Sequence, residues 1–259
     1  MRSGEILENR LLKPGYYRVR LYAPSIAASA CPGQFVHMRI GEDSMHLLRR
    51  PFSIHDTAPD GSVTVVYKVV GAGTRILAGM APGSVCDLMG PQGRGYTPAP
   101  DGLTPVMVAG GYGSAAMYML TRTMKVPGIV LIGARTDADV ILADRYRAAG
   151  CRVLTATDDG SAGEKGRVTL LVEKILAEYG NRGLFFYGCG PRPMLMALAK
   201  LMRERNIPGQ LSLDHLMCCG VGACFGCVVK VAADTPEGWA YARACKDGPV
   251  FDIRQIYVE

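Results

Sequence analysis

The 259-residue chain predicts a protein of three modules: an antiparallel β-barrel over residues 1–99, a doubly wound α/β domain over residues 100–208, and a small cysteine-rich module over residues 209–259. Three observations predict this division. The first hundred residues read as short apolar strands between Gly and Pro turns. From about residue 103, apolar strands alternate with helical patterns. The tail then places four of the chain's nine cysteines within ten positions, residues 218–227.

In the first module the strands are "YYRVRLYAP", "QFVHMRI", "PFSIHD", "SVTVVYKVV" and "SVCDLMG", with "GTRILAGM" as a short helix. So many short strands at this spacing suggest a barrel. "RRPFSI" carries Arg50, Pro51, Phe52 and Ser53. "YKVVGAGTRIL" carries Tyr67, Lys68 and Val69 on a strand, then Gly71-x-Gly73-Thr74 at a helix start. A glycine-bearing helix N-terminus can hold an anion. "GPQGRGY", residues 90–96, closes the module. Each of the three segments also reads as a plain turn or cap when taken alone.

In the second module the strand–helix pairs are "PVMVAG" with "SAAMYMLTRTM", "GIVLIGA" with "ILADRYRAAG", "CRVLTAT" with "TLLVEKILAEYG", and "GLFFYGC" with "RPMLMALAKLMRERN". This is the βαβ rhythm of a parallel sheet. Gly150 and Gly180 stand where helix C-terminal caps belong. Gly110, Gly111 and Gly113 lie between a strand and a helix, in an incomplete form of the GxGxxG turn. Asp158 and Asp159 follow a strand, where acids can equally serve as loop solubilisers. "FYGCGPRPM" sets Cys189 between Gly188 and Gly190 at a strand end, and an inert buried cysteine is the plain alternative.

The tail has Cys219-x4-Cys224-x2-Cys227, with seventeen residues separating Cys227 from Cys245. This is the plant-type [2Fe–2S] spacing. Four thiolates must converge on one small cluster, so three come from a tight loop and the fourth from a distant segment. Gly220, Gly222 and Gly226 give that loop room. A zinc site normally takes paired CxxC or His ligands in two groups, and one CxxC without a matching pair disfavours it. Buried cysteines acting as small apolar groups remain the plain reading. Taking Cys218 as ligand would stretch the first gap to x5, which favours Cys219.

Composition narrows the function. Hydrophobic residues are 49% and charged residues 20%, as in ordinary globular proteins. The net charge of +6 comes from Lys and Arg mixed with acids, without a basic run carrying aromatics. Nucleic acid is therefore not an expected partner, while small anions such as phosphates fit. "MRSGEILENR" lacks the apolar core of a signal peptide. Residues 102–121 carry no charge over a length that could span a membrane, but Pro105 and the glycine turn interrupt them. A cytoplasmic chain without a membrane span is expected, and its thiols point to metal or redox chemistry. No Ser-His-Asp set or carboxylate pair stands out. His37, His46, His55 and His215 show no metal-ligand spacing and read as structural or surface groups.

"MCCGVGACFGC…CKDGPVF" resembles the iron–sulfur segment of the electron-transfer subunits of dihydroorotate dehydrogenase B, a family within the ferredoxin-reductase superfamily. The resemblance extends over the whole chain. It implies FAD in the barrel, held by Arg50, Pro51, Phe52 and Ser53 together with Tyr67, Lys68, Val69, Gly73 and Thr74. It implies NAD(H) on Gly110, Gly111, Gly113, Asp158, Gly188 and Gly190, with Cys189 at the gap that the hydride crosses. It implies a [2Fe–2S] cluster on Cys219, Cys224, Cys227 and Cys245. The implied partner is an FMN-containing catalytic subunit that oxidises dihydroorotate, assembled as a heterotetramer of two copies of each chain. Three departures stand out: Lys68 where many relatives have Arg, Ala109 in place of a first glycine, and Ala116 where proline is common. Similar subunits serve NADH-dependent ferredoxin:NADP⁺ oxidoreductases, sulfide dehydrogenases and hydrogenases, and these are the alternative settings. A zinc-stabilised binding module is the alternative without redox chemistry.

Overall fold

The computed structural model describes residues 2–40, 48–213 and 215–258, so His46 lies outside the described residues. Six strands, β1 (Arg2–Lys13), β2 (Tyr16–Tyr22), β3 (Phe35–Arg39), β4 (Arg50–Thr57), β5 (Ser62–Lys68) and β6 (Val85–Gln92), close an antiparallel barrel in the order β1-β2-β5-β4-β3-β6. Two short helices, α1 (Pro24–Ala27) and α2 (Ala72–Gly79), interrupt the series. Period-two alternation decides which side chains fill the barrel. On β3, Val36 and Met38 join the barrel core, whereas Phe35 packs in the core shared with the tail. The two faces of this one strand therefore touch two modules.

Thr104 opens the α/β domain. Strands β7 (Thr104–Gly110), β8 (Ile129–Ala134), β9 (Arg152–Thr157), β10 (Glu164–Lys165), β11 (Leu184–Cys189) and β12 (Gly209–Ser212) are parallel. The full sheet runs β10-β9-β8-β7-β11-β12-β15, the last strand (Val250–Asp252) pairing antiparallel with β12. From β7 the chain builds outward through β8 and β9, then crosses back to β11 on the other side. The β7–β11 boundary is thus the topological switch point, where open α/β sheets bind ligands beyond the strand carboxyl ends. Helices α3 (Gly113–Met117), α4 (Ala143–Ala148), α5 (Val168–Tyr179) and α6 (Arg192–Glu204) cover the sheet. The uncharged stretch 102–121 resolves into β7, a turn, α3 and a 3-10 turn (Tyr118–Arg122). Among the described residues no helix is long and apolar enough to cross a membrane.

Two strands beyond residue 208, β12 and β15, belong to the α/β sheet. What stands off from it is the cysteine loop and the hairpin β13 (Val228–Ala232) with β14 (Trp239–Arg243). This hairpin shares its core with the sheet: Cys227, Val229 and Cys245 cluster with Leu211 and Ile253.

Ionic contacts lock the barrel to the α/β domain. Asp56 of β4 accepts from Arg122 and Arg145, each at 2.9 Å. Asp139, after β8, accepts from Lys68 Nζ and Tyr16 OH of the barrel, each at 2.6 Å. Neutral His55 donates through Nδ1 to the Ala115 carbonyl at 2.9 Å and stacks on Tyr118.

Candidate functional site: two cavities and a cysteine loop

A cavity of about 690 Å³ opens between the barrel wall and the ends of β7, β11 and β12. Arg50, Pro51, Phe52, Ser53, Tyr67, Lys68 and Thr74 line it from the barrel side. Tyr112, Gly113, Ala115, Cys189 and Ser212 close it from the sheet side. Arg50 is half-buried and donates through Nη1 to the Leu48 carbonyl at 2.8 Å. Its guanidinium lies over Gly73, where a Cβ would collide with Nε. A cation therefore sits at the N-terminus of α2, whose own dipole adds to the attraction for an anion. The Thr74 hydroxyl caps that helix: it accepts from Val70 N at 2.9 Å and Gly71 N at 3.1 Å.

A second cavity, about 880 Å³, lies at the switch point. Gly110, Gly111, Gly113, Asp158, Cys189 and Gly190 line it, as do Arg135, Arg167 and Arg192. The two cavities share Lys68, Val70, Tyr112, Gly113 and Cys189. Cys189, 8% exposed, is thus the end of β11 that faces both spaces. Gly113 makes this closeness possible, because a Cβ there would collide with the Cys189 carbonyl.

Not every expected residue lies on a cavity wall. Val69 packs against the barrel core. Gly73 sits under Arg50, and Gly188 lies between Leu195, Leu198 and Leu211 with its carbonyl accepting from Tyr96 OH at 2.9 Å. Lys68 is committed to Asp139, which holds it above its ordinary pKa, and it reaches over the Tyr16 ring at 4.8 Å. Sequence reasoning missed Tyr112, Asp139, Leu216 and Met217. Tyr112 stood inside the glycine turn, where its neighbours drew attention. Asp139 sits in an unremarkable "TDADV" stretch, so no local signal marked it.

Only one residue separates the first cavity's wall from the cysteine loop. His215, Leu216 and Met217 line the first cavity, and Cys219 follows two positions later. The four expected ligands pair off. Cys219 and Cys224 share a side-chain hydrogen bond, as do Cys245 and Cys227. Cys245 N also donates to Cys227 Sγ at 3.4 Å, and Gly226 N to Cys224 Sγ at 3.4 Å. Two thiol pairs suit a two-iron centre, in which each iron takes two cysteines, and among the described residues the pairs stand apart rather than closed around one ion. Backbone N–H groups, that of Val221 first, draw the Cys219 thiol down to about 6. Burial pushes Cys245 up to about 12, and the neighbouring Cys227 thiol adds to this. Cys227 and Cys245 are buried, Cys219 is half-buried, and Cys224 and Cys218 are exposed.

A flavin-sized cavity on a six-stranded barrel, a nucleotide cavity at a switch point and a cysteine loop beside them define a ferredoxin-reductase-type oxidoreductase carrying an iron–sulfur module. Residues 214–257 match the iron–sulfur cluster binding domain of dihydroorotate dehydrogenase B. The electron transfer subunit of dihydroorotate dehydrogenase B (NAD(+)) from Desulforamulus reducens is 37% identical, over 99% of this chain and 98% of that protein. Its counterpart from Bacillus caldolyticus is 38% identical, over 97% and 96%. The chain belongs to this family of electron transfer subunits. Among solved structures, an NADH-dependent reduced ferredoxin-NADP oxidoreductase superposes with a TM-score of 0.85 at 29% identity, covering 98% of this chain and 90% of that one. A ferredoxin reductase of carbazole 1,9a-dioxygenase shares the fold over 80% of this chain and 66% of that one, with a TM-score of 0.67 at 21% identity.

Proposed function

We propose that this chain carries electrons between NAD⁺ and an FMN-bearing catalytic subunit that oxidises dihydroorotate to orotate. FAD belongs in the barrel cavity, NAD(H) in the switch-point cavity, and a [2Fe–2S] cluster on Cys219, Cys224, Cys227 and Cys245. The division into residues 1–99, 100–208 and 209–259 then follows the three cofactors, although the last segment lends two strands to the sheet. Bound there, FAD supplies the step between hydride exchange with the nicotinamide and single-electron exchange with the cluster.

The chain's own residues place and insulate these groups. Arg50 and the α2 N-terminus offer the pyrophosphate a cation and a helix dipole. Phe52, edge-on to Tyr67 at 5.9 Å, walls the ring with apolar surface, and Ser53 presents a hydroxyl. Gly110, Gly111 and Gly113 would let a nucleotide approach the backbone, with Asp158 on the same cavity wall. Cys189 stands where both cavities meet, beside the gap that a hydride would cross between cofactors bound there.

The observation that carries this reading is the junction itself. Cys189 belongs to both cavities, and Met217 on the first cavity's wall is two residues from Cys219. At about 3.3–3.6 Å per residue, that cluster ligand's Cα lies no more than about 7 Å from the wall residue's. Such closeness suits electron transfer between the two sites.

The loop presents Val221 and Phe225 to solvent, 45% and 61% exposed. Phe225 holds a φ of +56°, an unusual conformation for a bulky residue. Exposed apolar surface beside Cys224 suits a dry contact with the catalytic subunit. A heterotetramer with two copies of each subunit and a cytoplasmic, reducing setting complete the reading. The purified chain should be brown-yellow, with about two irons and two labile sulfides alongside flavin. Alone it should pass electrons from NADH to an artificial acceptor, and form orotate only with its partner. One zinc without flavin, or dihydroorotate oxidation by the isolated chain, refutes it.

A further inference from the structure

His37 is a buried imidazole without an evident duty. It lies on the outward face of β3, fully buried, and among the described residues neither ring nitrogen has a hydrogen-bond partner. Two such atoms in a dry place are costly, and an apolar side chain would fill the space more cheaply. One side of the ring meets the cysteine loop: a Cβ on Gly220 would collide with Nδ1, and Gly220 itself holds a φ of +70°. The other side meets the flavin wall. Phe35, which lines the barrel cavity, is edge-on to the ring at 6.3 Å. Directly across in β4 stands Pro51 of the flavin segment. Burial lowers the ring's pKa, and backbone groups of Cys219 and Met217 from the loop, and of Arg49 from β4's entry, lie near it without reaching hydrogen-bond geometry.

We propose that His37 is a positioning residue for the iron–sulfur centre, its ring N–H turned to the Cys219–Gly220 peptide so that this peptide's own N–H faces the sulfurs. The inference rests on the cluster assignment above. Because the peptide unit is planar and trans, a carbonyl drawn towards the ring sends the adjoining N–H the opposite way. Backbone N–H groups of Val221, Ala223 and Cys224 already reach the Cys219 sulfur, and in this proposal the Gly220 N–H joins them. Dipoles aimed at the sulfurs favour the more negative, reduced cluster and raise its potential. The single electron involved arrives from the flavin and leaves to the partner, or the reverse, so no further reactant enters.

The test uses the full chain with its cofactors bound. His37→Leu keeps volume and removes both polar atoms, and His37→Asn restores a donor near the Nδ1 position. Iron, labile sulfide and flavin are quantified first, and the cluster midpoint is then followed by electron paramagnetic resonance during a redox titration. In His37→Leu the oxidised-to-reduced ratio at a fixed poise should rise about tenfold, which is about 59 mV for a one-electron couple. Flavin content should be unchanged, and His37→Asn should recover most of the shift. Loss of the cluster in His37→Leu with retention in His37→Asn also supports the role. A loaded His37→Leu cluster with unchanged midpoint and spectrum overturns it. So do equal shifts in both variants, or cluster loss in both with flavin retained, since the ring would then act by volume. A wild-type chain without iron and sulfide would instead overturn the cluster assignment itself.

Discussion

Lys68 stands where the family resemblance leads one to expect an arginine, and its ammonium is given to Asp139. The perturbation that tests this is a double-mutant cycle of Lys68→Met and Asp139→Asn. Asp139 Oδ1 accepts Lys68 Nζ and Tyr16 OH, both at 2.6 Å, and the two charged side chains are 35% and 18% exposed. The lysine and the tyrosine together hold the Asp139 carboxyl below its ordinary pKa. A fully exposed ion pair would contribute about 0.2–1 kcal/mol, and a hydrogen bond to a charged group about 1.5–3 kcal/mol. Half-burial places the Lys68–Asp139 coupling between these, at about 1–2 kcal/mol. Asp139→Asn leaves an amide that Tyr16 can still donate to, so no buried group is orphaned. The assay is denaturant unfolding of the FAD-loaded protein, with FAD dissociation measured in parallel on all four chains. The double variant should be little less stable than either single one, and FAD retention should stay within about threefold across the cycle, less than one charge-assisted contact would cost. If Lys68→Met sheds FAD tenfold faster whether or not Asp139 is present, and the stability effects simply add, the lysine is a phosphate ligand and the clasp reading is wrong.

Three further outcomes are expected. Cys219→Ser should lose or badly destabilise the cluster while Cys218→Ser leaves it nearly intact; the opposite pattern by electron paramagnetic resonance would place the ligand loop one residue earlier. Arg50→Ala should weaken FAD retention roughly ten- to a hundredfold, the worth of one charge-assisted contact, with the cluster spectrum unchanged, and unaltered FAD after dialysis would refute the phosphate role. Burial holds His55 neutral, its pKa lowered from 6.5 to about 4, so the folded state resists a proton that the unfolded state accepts. Its contribution is complete above pH 6.5 and is lost as pH falls towards 4. The full loss is about 3 kcal/mol at about 1.4 kcal/mol per unit. His55→Gln should flatten that part of the stability-against-pH curve, and an unchanged slope would assign it to other groups.

Periodicity and motif spacing made most of the fold legible. The strand–helix alternation after residue 103 marks β7, β8, β9 and β11 with their helices; β7, β8 and β11 are largely buried and read as continuous apolar runs, while β9 is only partly covered. The first strand was hidden: β1 carries Glu5, Glu8 and Arg10 and is broken by register shifts at Ile6/Glu8 and Leu11/Lys13, so its alternation never becomes regular. The closing strands β12 and β15 were hidden for another reason, since four and three residues are too few to show a period. At the site, the cysteine ladder and the Arg50–Ser53 segment could be read because ligand spacing and a short linear motif are local. Asp139 and His37 could not, because their roles exist only where separate modules meet. Lys68 is the instructive case: its departure from arginine was visible in sequence, but the carboxylate that accounts for it lies 71 residues away.

The exposure of the four cysteines bears on how the proposed cluster is used. Cys227 and Cys245 are buried in the core shared with the nucleotide sheet, while Cys224 is open to solvent beside Val221 and Phe225. An internal relay would be better buried on all sides, since exposure admits water and oxidants without helping transfer. A cluster that only stabilised the tail would have no use for an exposed apolar rim. One buried pair, the half-buried Cys219 and the open Cys224 fit the proposed role of a terminal, with one side near the first cavity's wall through the Met217–Cys219 segment and the other available to a partner surface. Charge introduced at Phe225 should therefore leave NADH oxidation by an artificial acceptor unchanged and abolish orotate formation in the complex. Coupled turnover that survives Phe225→Asp and Val221→Asp together would move the docking surface elsewhere.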